Sequence, residues 1–83
     1  MESTSKKIIQ SYVYTDFGNF FVSTIYRLSS AMVVSWFYET FVWKLNNENE
    51  REPGILYEGE GLNCHYEVCK HLIKDGKCED KED

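Results

Sequence analysis

Residues 20–45, FFVSTIYRLSSAMVVSWFYETFVWKL, constrain the fold more than the rest of the chain together. Phe, Val, Thr, Ile, Tyr and Trp dominate the stretch, and these residues suit a pleated, half-buried surface. Large side chains occupy both phases of the alternation. Val34, Trp36, Tyr38 and Val42 project one way, and Phe37, Phe41, Trp43 and Leu45 the other. A strand apolar on both faces must be covered on both faces. The sequence offers one helix, which can cover one face. The other must meet a second copy of the chain or a target.

With 83 residues the chain is read as one domain, 1–83, with loose ends at 1–6 and 79–83. So short a chain buries a modest core. Its 16% aromatic content compensates, and the same rings favour self-association.

Charge is unevenly spread. Residues 1–45 carry four bases against three acids, while residues 46–83 carry eleven acids against five bases, giving the overall net of −5. That balance argues against nucleic acid as partner, which needs clustered Lys and Arg, and suits either a basic protein surface or plain solubilising charge. The N-terminus MESTSKKIIQ lacks the apolar run of a signal peptide, and no segment has the roughly 18 apolar residues of a membrane span. Cys64, Cys69 and Cys78 are an odd number without secretory context, so reduced thiols and a cytoplasmic location are expected, with no membrane partner.

Along the chain, residues 7–17 read as a first strand, Asp16-Phe17-Gly18-Asn19 as a hairpin turn, and Phe20–Arg27 as the return strand. Leu28-Ser29-Ser30-Ala31 reads as a connection, Val33–Leu45 as a long third strand, and Ile55–Glu58 as a short fourth one ended by Gly59-Glu60-Gly61. The polar loop 46–54 closes on Pro53-Gly54. Asn63 is placed as a helix N-cap before CHYEVCKHLIK. On that helix Cys64, Tyr66, Val68, Cys69, Leu72 and Ile73 share one side, with His65 at the centre of the arc. The expected fold is therefore α+β: a four-stranded antiparallel β-sheet meander with one C-terminal α-helix packed on one face.

Several constellations suggest chemistry. If a metal is held, His65, Cys69 and Cys78 are its ligands, but there is no CxxC knuckle and Cys64 sits about 140° from Cys69 on the wheel. The reading is no metal and no cofactor, with free thiols behaving as small hydrophobes. His65 reads as a core histidine hydrogen-bonded to backbone. A Cys–His nucleophile would need an orienting group and an oxyanion hole, neither of which is visible, so no enzyme activity is expected. Glu39 interrupts the third strand, and Arg27 is its natural cross-strand partner. Tyr12, Tyr14, Phe20, Tyr26, Trp36 and Tyr38 could form a stacking platform, although the interleaved cations that bind single-stranded bases are scarce.

Val22, Ser23, Thr24, Ile25, Arg27, Ser29, Ser30 and Ala31, followed by Tyr38, Glu39, Thr40, Val42 and Trp43, form a pattern that resembles small accessory proteins of tailed bacteriophages. There a V-S-T-hydrophobic-x-R-x-S-S-A segment precedes an aromatic Y-E-T-x-V-W strand and a helix with a histidine. The match covers about a third of the chain. The resemblance implies a phage-borne, non-essential protein of the host cytoplasm and carries over no site residues.

The expected function is stoichiometric inhibition of a host or bacterial defence protein, with Trp36, Tyr38, Arg27, Glu39, Glu48, Glu50 and Glu52 as interface residues. The alternative is a dimeric module binding a small ligand or RNA on an aromatic sheet surface. A homodimer is expected through the sheet face opposite the helix or through an edge strand, with Trp36 and Tyr38 losing exposure there. An acidic rim around an apolar patch favours the inhibitor, and basic surface on the sheet favours the alternative.

Overall fold

The structure, a computed structural model, describes residues 5–29, 35–61 and 63–78. Four strands, β1 (Ser5–Thr15), β2 (Gly18–Ser29), β3 (Ser35–Lys44) and β4 (Tyr57–Glu60), precede the helix α1 (Asn63–Asp75). The strands lie in the order β1-β2-β3-β4, every neighbouring pair antiparallel, and α1 packs on β1 and β2. This is the expected meander with one helix.

The boundaries shift for local reasons. β1 starts at Ser5, so Ser5 and Lys6 belong to the sheet rather than to a loose end. The hairpin loop is tighter than Asp16–Asn19, because Thr15 already pairs with Gly18. Thr15 Oγ1 donates to the Gly18 carbonyl and accepts from the Phe17 N–H, 2.8 and 3.0 Å, closing the loop on two residues. Leu28 extends β2 instead of opening a connection. Ser30, Ala31, Val33 and Val34 lie outside the described residues, as do residues 1–4 and the acidic tail 79–83. β4 runs two residues later than expected, since residues 51–56 first follow β3 through the Leu45–Arg51 bridge and a Leu56 N–H to Val42 carbonyl bond.

Gly59 lies inside β4 rather than ending it. A Cβ there would come within 2.7–2.9 Å of the Tyr57 ring and of Cys64 Sγ, so the bare backbone lets the start of α1 sit against the strand. The helix begins at Asn63 itself and ends at Gly76, whose φ of 73° follows the Gly76 N–H to Leu72 carbonyl bond of 2.9 Å. Gly76 also lies against the Phe17 ring at the β1–β2 loop, which anchors the far end of α1.

The register assigns every strand residue to a face. Val22 pairs with Val42, Thr24 with Thr40 and Tyr26 with Tyr38, and all point toward α1. Val13, Phe20, Val22 and Val42 meet Val68 and Leu72 in one small core. The buried stripe of α1 is narrower than the sequence suggests: His65, Val68 and Leu72 are buried, whereas Tyr66 and Ile73 are 56% and 63% exposed. A single helix on a sheet contacts it along one line, leaving the flanks of the apolar arc outside.

Candidate functional site

The face of the sheet turned away from α1 carries six aromatic rings. Tyr12 of β1, Phe21 of β2 and Trp43 of β3 lie in one cross-strand row, fixed by the pairs Tyr12–Phe21 and Phe21–Trp43. Their ring centroids are 5.0 and 5.9 Å apart, within the range of favourable tilted pairs. Tyr14 stacks beside Tyr12, and Phe41 beside Trp43. Phe37 ends the row pattern, with the Arg27 guanidinium 5.8 Å from its centroid. Arg27 also donates to Glu39 at 2.9 Å, the expected cross-strand pair. Glu39 is only 8% exposed, so this partner is what allows a carboxylate among aromatic side chains.

The loop after β3 folds over one end of this face. Asn46 organises it: its side-chain oxygen accepts the N–H groups of Glu48 and Glu50, and its own N–H donates to the Glu50 carbonyl. Asn49 Nδ2 then donates to the Tyr14 hydroxyl at 2.9 Å, and the Arg51 guanidinium lies 4.8 Å from the Trp43 ring and 5.6 Å from Phe21. Between loop and sheet is a cavity of about 370 Å³ floored by Gln10, Phe21 and Ser23 and walled by Lys7, Glu50 and Arg51. Gln10 Nε2 donates to Ser23 Oγ across the floor.

Acidic groups border the rings. Glu58 and Glu60 project from β4 onto this same face, opposite Phe41 and Glu39, and both are exposed. Glu48 and Glu50 are exposed in the loop, and Glu52 beside them is half-buried. Two cations beside the rings are engaged, Arg27 by Glu39 and Arg51 by Trp43 and Phe21, while Lys7 is exposed in the cavity wall.

Trp36 and Tyr38 lie elsewhere. Their alternation matches Val42, so they project on the helix side of the sheet, not opposite it. There Trp36 stacks on Tyr26 at 5.1 Å, and Tyr26 tilts against Tyr38 at 4.8 Å. The proposed six-residue platform is therefore split: Tyr12 and Tyr14 share the open face, and Phe20, Tyr26, Trp36 and Tyr38 the helix face. Of the expected interface residues, Arg27 and Glu39 pair on the open face, Glu48, Glu50 and Glu52 lie in the loop after β3, and Trp36 and Tyr38 project on the opposite face. Phe21, Phe41 and Arg51 were not anticipated. The two-residue hairpin fixes the β1–β2 register and with it the pairing of Phe21 with Tyr12, but it leaves the phase of β3 undecided.

His65 is a core histidine, 1% exposed, but its partners are hydroxyls rather than backbone. Its Nε2 lies 2.8 Å from Ser11 Oγ and its Nδ1 2.8 Å from Thr24 Oγ1, which in turn is 2.6 Å from Thr40 Oγ1. Burial holds its pKa below the usual histidine range. Burial also raises that of Cys69, partly opposed by a hydrogen bond to Ser11. A neutral ring must donate from one nitrogen and accept at the other, so the hydroxyl protons along Ser11, Thr24 and Thr40 are oriented as one set. The arrangement superficially resembles a Ser–His relay. Its third member is a neutral threonine, which gives no charge to stabilise an imidazolium, so the chemistry on offer is structural. With both nitrogens bonded, the lone pair of the accepting nitrogen of His65 is already engaged, and among the described residues no group of three or more His, Cys, Asp or Glu could hold a metal.

Comparison with protein families, with characterised proteins and with solved structures finds no match to this chain. Among the described residues no helix is long and apolar enough to cross a membrane.

Proposed function

We propose that this chain is a non-enzymatic binding protein that inhibits a host or bacterial defence protein by covering a basic surface on it. The observation that supports the reading most is the open aromatic face with carboxylates of Glu48, Glu50, Glu58 and Glu60 along its borders. Large rings at the centre supply contact area at low conformational cost, and rim charge steers the encounter. The resemblance to phage accessory proteins supplies the class of target. The test is capture of a partner from bacterial lysate with the tagged chain, followed by binding kinetics. Glu58→Lys with Glu60→Lys should slow association several-fold and flatten its salt dependence. Phe41→Ala should speed dissociation at least tenfold. A partner that binds both variants as it binds the parent chain would sink the reading.

A second reading, a small-ligand or RNA module, is favoured by the cavity beside Lys7, Gln10 and Arg51. The acidic rim opposes RNA, since phosphates need released counterions and exposed cations. Quenching of Trp43 by a nucleotide at micromolar concentration would support this reading over the inhibitor.

A further inference from the structure

We propose that two copies of the chain pair through the outer edge of β1, joining their sheets into one, with the Tyr66–Ile73 flank of α1 packed across the two-fold axis. β1 is a terminal strand of the sheet, and its 11 residues far exceed the four of the other terminal strand, β4. A long edge presents a row of backbone donors and acceptors that invites another strand. An antiparallel pairing of β1 with its own copy satisfies both rows at once, because a two-fold axis through an edge strand makes the pairing self-complementary.

The helix adds side chains to that edge. Cys64 donates to the Tyr57 hydroxyl of β4, and Cys69 lies about 140° round the helix from it, on the side where Ser11 of β1 bonds His65. The Cys69 side of α1 is therefore the one turned toward β1, and Tyr66 and Ile73 lie further round on that side, more than half exposed. Ile8 on the strand is 45% exposed. Tyr12 and Tyr14 are exposed on the other face of the same strand. The exposed parts of these five side chains offer on the order of 500 Å². With the strand backbone, this approaches the roughly 800 Å² per partner of a stable interface.

Charge favours a second copy as the occupant. Lys6 and Lys7 lie at one end of β1 and Asp16 just beyond the other, so antiparallel pairing about Tyr12 sets Asp16 of one copy opposite Ile8 of the other, next to its Lys7, at both ends. The irregularity between Lys7 and Ile9 and the two lysines limit the pairing to Ile9–Thr15, since bulges and edge lysines oppose strand addition. The contact uses neither Trp36 nor Tyr38 and leaves Phe37, Phe41 and Trp43 open, but it takes up Tyr12 and Tyr14 at the β1 margin of the aromatic face, so a dimer narrows that face without covering its centre.

Sedimentation equilibrium and amide hydrogen exchange test it together. The parent chain should sediment at twice 9.8 kDa at tens of micromolar. Exchange in Ile9–Thr15 should slow as concentration rises. Tyr66→Glu with Ile73→Glu, both at exposed positions, should weaken association at least a hundredfold, while Glu58→Lys with Glu60→Lys leaves it intact. Three results overturn the proposal. One is a monomer at that concentration. Another is protection of β1 amides that does not vary with concentration, which would mean another segment of the same chain covers the edge. The third is a dimer that survives the α1 substitutions with β1 amides exchanging at the monomer rate.

Discussion

His65 joins α1 to two strands at once, and it does so as a neutral ring. Ser11 and Thr24 each bond one of its nitrogens, so truncating it leaves two hydroxyls under the helix without their partner. His65→Ala should cost on the order of 2–4 kcal/mol, measured by urea unfolding at pH 7.5. The lowered pKa sets the sign of the pH dependence. Unfolded chains take up a proton below about pH 6.5, and the folded chain resists it to lower pH. The contribution is therefore fully present above that value and is lost as pH falls through the folded pKa. Unfolding midpoints should drop between pH 7 and pH 5 in the parent chain, and drop less in His65→Gln. Equal slopes in both would show that His65 does not carry the effect. The burial of His65 was legible in the sequence from its place at the centre of the apolar arc. Its hydroxyl partners were not, because Ser11 and Thr24 are 54 and 41 residues away and only the sheet register brings them under the ring.

The strands were legible as elements because β-branched and aromatic residues alternate over long runs and the polar tracts between them are short. Their faces followed once the register was known. Trp36 and Tyr38 were misplaced relative to the helix for a specific reason: both phases of β3 are aromatic, so hydrophobicity alone cannot say which phase α1 covers. The decision is made by Val22 and Val42, small enough for a helix to approach closely and fully buried beneath it. The helix in turn is held at both ends by glycines that side chains cannot replace. At Gly76 a Cβ would lie 2.4 Å from the Phe17 Cβ, on a backbone with positive φ. Gly76→Ala should cost about 1–3 kcal/mol and loosen the last turn of α1, read as faster amide exchange near Leu72. Unchanged stability and exchange would mean that the contact with Phe17 does not anchor the helix.

At the scale of the whole molecule, the helix and sheet of the described residues leave a six-ring face open beyond the loop after β3, and that acidic loop and the β4 carboxylates border it. The two tryptophans report on the two faces separately: Trp36 lies with Tyr26 on the helix side, and Trp43 lies under Arg51 on the open side. Labelling both with 5-fluorotryptophan, and assigning them with Trp36→Phe, gives one fluorine resonance for each surface. Titration with the captured partner protein then tests the central claim that the open face is the contact surface. The account predicts that the Trp43 resonance shifts or broadens to saturation at one partner per chain while Trp36 stays in place. Movement of Trp36 alone, with Trp43 unchanged at saturation, would contradict it.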